Sequence, residues 1–154
     1  MTFKYNKMPV FKPIIIPTKD VGSWKAFKRF FRTRRWQLNE DFVFKINNRW
    51  CSINAGFEFD GASVPRPFWP ILSPTGILLI GGLIHDYGYK YRDIPFANGN
   101  GSIYNNKKRK TYDKLMLDIS NQVNGINHIN SFVYNILRAF GWIAWNKHRK
   151  NELV

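Results

Sequence analysis

Residues 83–93 read LIHDYGYKYRD, and the way this stretch folds decides the rest. The apolar run ILLIGGLI at 77–84 leads into it. Together they predict one helix from about Gly76 to Tyr91. Thr75 is its N-cap, or Ser73 is, with Pro74 at the first helical position. Residues three and four apart share a helix face, so Gly81, His85 and Tyr89 line up, and Gly82 and Asp86 form the adjacent column. Two glycines inside a helix cost about 1 kcal/mol each relative to alanine. Either another element packs close to the backbone there, or the glycines leave room for a substrate beside the imidazole.

A histidine that works as a general base needs an orienting partner on its second ring nitrogen. Adjacent helical residues point about 100° apart. Asp86 is therefore expected to turn away from His85 and be left for a cation, and the partner comes from another element. Asp113, early in a second helix, is the leading candidate. Asp60 is the alternative; it closes the strand GFEF and opens a turn with Gly61. Asp60 also reads simply as a turn cap, and His85-Asp86 reads simply as the polar end of a core helix.

Downstream, IPFANGNGSIYNN at 94–106 is a polar loop. Lys107-Lys108-Arg109-Lys110 then leads into the second helix, which runs to about Val123. Its apolar stripe is Tyr112, Leu115, Met116, Ile119 and Val123, and Asn124-Gly125 ends it. A third helix is predicted over about 130–148, with Phe132/Val133, Ile136/Leu137, Phe140 and Ile143/Ala144 on its core face. It ends in Lys147-His148-Arg149-Lys150.

Upstream, residues 1–20 form an extended arm with a short strand, KPIIIP, of the kind that proline allows at a sheet edge. Residues 24–35, WKAFKRFFRTRR, form a basic helix or turn with Trp24, Phe27, Phe30 and Phe31 at helical spacing. Residues 41–46 and 49–53 are strands joined at Asn47-Asn48, because asparagine tolerates positive φ. A third short strand covers 56–59. The loop at 60–76 holds four prolines and two glycines and is expected to be ordered, burying Phe68, Trp69, Ile71 and Leu72. Strands before helices predict an α+β fold: a small antiparallel sheet in the N-terminal half packed on about three helices in the C-terminal half. The whole chain, 1–154, is expected to be one domain, with 149–154 a basic tail.

Charge narrows the partners. The 154 residues carry 24 Lys+Arg against 10 Asp+Glu, a formal net charge of +14. Such a field attracts DNA, an anionic membrane or an acidic protein. The candidate contacts are Lys28, Arg29, Arg32, Arg34 and Arg35 in the first basic segment and Lys107, Lys108, Arg109 and Lys110 in the second. No nucleic-acid motif is present, so sequence-specific recognition is not expected. Cys51 is the only cysteine, which excludes an intrachain disulfide and a thiolate zinc cluster. Pro9, Pro13 and Pro17 interrupt any secretory signal. No segment reads as a transmembrane helix, since ILLIGGLI is too short and residues 131–145 carry Asn135 and Arg138.

The order GFEFDGASVPRPFW, LIHDYGYKYRD, an Asp-bearing helix and YNILRAFGWIAW resembles a domain-of-unknown-function family common in tailed-phage genomes. The resemblance covers roughly 40–146. It implies a phage or prophage origin and a virion or lysis role, with phage virion proteins as partners and the virion or host cytoplasm as location. More loosely, the His-Asp-x-x-Tyr helix is similar to that of calcium-dependent secreted phospholipases, especially the small bacterial ones. This second resemblance implies His85 as the base for water, Asp113 and Tyr89 as its orienting pair, and Asp86 as a Ca2+ ligand. The loop at Asp60-Gly61 would supply carbonyls. Hard cations take oxygen ligands, and one there would polarise an ester carbonyl. Two functions of different class follow. One is calcium-assisted hydrolysis of membrane lipid esters. The other is a non-catalytic basic phage component that binds DNA or other virion subunits.

Overall fold

The computed structural model describes residues 1–15, 22–30, 35–59 and 78–151. Asp60, Gly61, Arg32, Arg34, the 60–76 loop whose aromatics were expected to be buried, and the proposed caps Ser73 and Thr75 lie outside the described residues. So do the side chains of Lys28 and Arg29 and residues 152–154 of the expected tail.

The fold is α+β. Strands β1 (Phe3–Tyr5), β4 (Phe42–Ile46) and β5 (Arg49–Ile53) form one antiparallel sheet in the order β1-β4-β5. In β4 the buried residues Phe42, Phe44 and Ile46 alternate with Val43 and Lys45, the period of a strand with one core face. The turn to β5 uses Asn47 at φ 46° and Asn48 at φ 68°. Both central residues are left-handed, as the tightest hairpin turn requires. The β4–β5 hairpin thus forms as the sequence predicts, while β1 joins it from the part of the arm expected only to be extended and the strand expected at 56–59 pairs elsewhere.

A second sheet, in the order β2-β3-β6, joins β2 (Phe11–Pro13), β3 (Trp36–Leu38) and β6 (Glu58–Phe59). The edge strand β2 covers only the start of KPIIIP, and Ile15 is exposed. Helix α1 is described over Ser23–Phe30, and the next described element is β3, which the charge pattern hid. The 94–106 loop also carries structure: β7 (Ile94–Pro95) and β8 (Ser102–Ile103) pair as a small hairpin. A bridge between Cys51 and Phe96 ties that hairpin to β5.

The helical half is built on α2 (Leu79–Tyr91), which is described to its predicted end. Arg92 closes it at φ 57°, its N–H bonding the Gly88 carbonyl. Helix α3 (Arg109–Asn124) ends at Gly125, φ 69°, as predicted. The expected third helix is instead two, α4 (Asn127–Phe140) and α5 (Trp142–Asn151). Only part of its expected core face is inside. Val133, Ile136 and Leu137 are buried, whereas Phe140 and Ile143 are about half exposed.

The main core runs from the sheets (Phe44, Ile46, Cys51, Ile53) through α2 (Ile80, Leu83, Ile84, Tyr89) to α3 (Tyr112, Leu115, Ile119). Two glycines let α2 and α3 approach. A Cβ on Gly81 would strike the Ser120 hydroxyl and come within 3.2 Å of the Met116 carbonyl, and a Cβ on Gly88 would enter the Tyr112 ring. Gly82 differs, because a Cβ there meets no described atom within 4 Å. Overpacking a tight core costs about 1–3 kcal/mol, so Gly88→Ala is expected to be destabilised by that amount. Gly82→Ala gains helix propensity and should be neutral or up to about 1 kcal/mol more stable. Urea unfolding midpoints of the two variants against the parent check the contrast.

Candidate functional site

Spacing on two helices builds the site. His85 and Tyr89 stand one turn apart on α2, and Arg109 and Asp113 one turn apart on α3. The glycine contacts bring the two helices together. The His85 Nε2 then lies 3.1 Å from Asp113 Oδ1, and the Tyr89 hydroxyl donates to the same oxygen. Arg138 of α4 donates to Asp113 Oδ2 at 2.7 Å, and Arg109 stands 3.6 Å from that oxygen. Asp113 is fully enclosed, and so is Tyr89. Of the two partners expected for His85, Asp113 is the one that the described residues provide.

Asp86 departs from expectation. Its Oδ1 lies 3.2 Å from His85 Nδ1. The helix angle separates the Cα–Cβ bonds of adjacent residues, but rotation about χ1 and χ2 brings ring and carboxylate back together. His85, 1% exposed, therefore stands between two carboxylates. With both nitrogens facing carboxylate oxygens, the imidazolium, which has a proton on each, is the form that can donate to both. Burial works against the imidazolium, but the bonds to Asp113 and Asp86 outweigh it and raise the His85 pKa above its ordinary 6.5. Asp113 is balanced in the same way. Burial opposes its charge, yet His85, Tyr89 and Arg138 hold its pKa below the ordinary 3.8. Burial and the adjacent Asp113 charge push the Tyr89 phenol far up. It stays a neutral donor.

Arg109 is turned inward rather than lying on the basic surface with its neighbours. Its Nη1 donates to the Leu137 carbonyl at 2.6 Å and its Nη2 to the Arg138 carbonyl at 3.1 Å. The Leu137 carbonyl also keeps its helical bond from the Gly141 N–H at 2.8 Å, so Arg109 adds a second donor at the α4–α5 junction. Gly141, at the break, is needed for the close approach. A Cβ there would lie 2.5 Å from the Tyr89 hydroxyl and 3.0 Å from Arg109 Nη1. Trp145 of α5, half-buried, meets the Tyr89 ring edge-on at 5.3 Å.

Lys107, Lys108 and Lys110 are exposed. Arg35 is exposed as well and pairs with Glu58 at 3.0 Å. Sequence reasoning passed over Arg138, Gly141 and Trp145. One signal was available, since Arg138 is a lone charge beside the buried pair Ile136/Leu137.

The arrangement supplies half of a general-base site: a histidine, an orienting carboxylate, and donors that fix that carboxylate. For a metal the described set is thin. No group of three or more His, Cys, Asp or Glu among the described residues could hold one, and Asp86 alone falls far short of the six to eight oxygens that calcium takes.

Residues 36–135 match the sequence profile of a family described as Protein of unknown function (DUF1353). No curated protein and no solved structure matches the chain. His85, Asp86, Tyr89, Arg109 and Asp113 fall inside the matched region, and Arg138 lies just beyond it.

Removing one member of a buried ion cluster costs about 3–5 kcal/mol, and Asp113→Asn should be destabilised by that much in urea unfolding. The site's pH dependence has two limbs. Asp113, depressed, contributes fully above 3.8 and loses that stability as pH falls through its lowered pKa. His85, raised, contributes fully below 6.5 and loses it as pH climbs through its raised pKa. Unfolding free energies measured across pH should show both limbs, and His85→Gln should lack the alkaline one.

Proposed function

Because the chain belongs to the DUF1353 family, whose description names no activity, its function has to be read from its own residues, and we propose that it is a hydrolase of the phospholipase type acting on membrane lipid esters. The contact that carries this reading is His85 Nε2 to Asp113 Oδ1, 3.1 Å, on a carboxylate that Tyr89 and Arg138 already hold. A buried histidine with an oriented ring and a perturbed pKa is the signature of acid–base work.

The reacting nitrogen is then Nδ1. Asp86 turns away from it, the ring gives up that proton, and Nδ1 takes one from water as the water oxygen attacks the ester carbonyl. The tetrahedral intermediate breaks its bond to the alcohol oxygen, which receives the proton back from Nδ1. The products are a fatty acid and an alcohol. Asp113 stays ionised throughout and fixes the ring.

Calcium belongs to the same proposal. Asp86 would supply one oxygen, with Asp60 and the Gly61 carbonyl as further ligands, and a cation held there would act as a Lewis acid toward an ester carbonyl. An anionic bilayer suits a chain of charge +14, and Trp24 and Trp142 are exposed. Origin in a phage, and a role in the virion or in lysis, are proposed with it on the order of the sequence motifs. No helix among the described residues is long and apolar enough to cross a membrane.

One observation favours the second reading. His85 is almost fully buried, and its Nδ1 already has Asp86 as partner. On that reading the cluster only joins helices, and the basic surface binds DNA or virion subunits. Fatty-acid release from anionic vesicles, with and without calcium, separates the two. The hydrolase reading expects release that falls 10²–10⁴-fold in His85→Gln, roughly the share that a general base contributes. Equal release by a folded His85→Gln protein, or none by the parent, sinks it.

A further inference from the structure

A cavity of about 600 Å³ runs along α3. Thr111, Leu115 and Asp118, on its wall, lie one turn apart along a single helix face. At 100° per residue Asp113 points roughly the opposite way from Thr111 and Leu115. The cavity is therefore separate from the His85 cluster.

Its chemistry has two parts. The rim is cationic: Lys107, Lys108, Lys110 and Lys114 line it, and all four are exposed. Lys114 is held by Asp118 at 2.6 Å. Among the described residues no salt bridge joins the other three to an acid. The floor is apolar. Leu115 is buried, Tyr104 is half-buried, and lysine stems add their methylenes. A phosphate backbone would use the rim and gain nothing from the floor. A neutral lipid would use the floor and leave the rim unpaired. A molecule with one anionic head and one acyl chain uses both, and the volume falls within the 300–1,000 Å³ range of small-molecule sites.

We propose that this groove binds a single-chain anionic amphiphile of the fatty-acid class. The carboxylate sits among Lys107, Lys108 and Lys110, and the chain lies over Tyr104 and Leu115. The site stands whether or not His85 is catalytic. If it is, the groove takes a product of the reaction.

The test is calorimetric titration of the full chain with dodecanoate below its micelle-forming concentration. Saturable one-to-one binding is expected, with dodecanol at least about tenfold weaker, the loss of roughly one good charge contact. Replacing Lys107, Lys108 and Lys110 together by Gln should weaken dodecanoate binding by about tenfold or more. Thr111→Trp fills the groove without removing a charge and should abolish binding at an unchanged melting temperature. His85→Gln should bind dodecanoate like the parent, so failure of the groove and failure of the hydrolase reading are read apart. No binding, equal binding of dodecanol, or full binding by a folded Thr111→Trp protein overturns the proposal. So does a DNA oligonucleotide that binds through these lysines where dodecanoate does not.

Discussion

One buried carboxylate organises the helical half. Taking an ion out of water carries an effective penalty of several kcal/mol, and Asp113 has no exposure at all. It is tolerable only because donors converge on it from three helices: His85 and Tyr89 of α2, Arg138 of α4, and Arg109 of its own α3. Each donor must arrive within bonding distance at the same time. That requirement sets how α2, α3 and α4 lie against one another far more narrowly than their apolar stripes do, since Leu and Ile contacts tolerate sliding and repacking.

Small residues make the convergence possible. Gly81 and Gly88 let α3 rest on the backbone of α2, and Gly141 lets Tyr89 and Arg109 reach the α4–α5 junction. Arg109 serves twice, facing the Asp113 carboxylate and taking the Leu137 and Arg138 carbonyls. Beyond Gly141, Trp145 of α5 packs on Tyr89 and Arg149 donates to the Tyr89 and Lys90 carbonyls at 2.7 and 2.9 Å. Those carbonyls end α2 and lack helical partners, so a cation suits them. The far end of the chain therefore locks the helix that carries His85.

Local signals made much of this legible in sequence. The Asn47-Asn48 hairpin, the end of α3 at Gly125 and the end of α2 at Tyr91 all follow from turn chemistry and periodicity. Asp113 as the partner of His85 follows from asking which carboxylate lies next to an apolar stripe. What stayed hidden depends on distant groups. The close approach at Gly141 involves Tyr89 and Arg109, the latter thirty-two positions away in the chain, and glycine inside an apolar helix gives no sign of it. Strand β3 is masked by the basic residues before it, because its pairing with β2 and β6 is non-local. The contact of Asp86 with His85 was excluded by reasoning from Cβ directions alone, which ignores the reach of two rotatable side chains.

The cluster is asymmetric about the imidazole, and that asymmetry bears on what it can do. Behind Nε2, Asp113 is fixed by a phenol and two guanidinium groups and has no access to solvent. Nothing can change there without undoing the helix packing. Beside Nδ1, Asp86 is 13% exposed and shares its column with Gly82, where an added Cβ would meet no described atom within 4 Å. Any rearrangement around the ring must come from that side. The imidazole itself is 1% exposed, so Nδ1 can meet a new partner only if the Asp86 side chain moves, whereas the bond from Nε2 to Asp113 can persist unchanged.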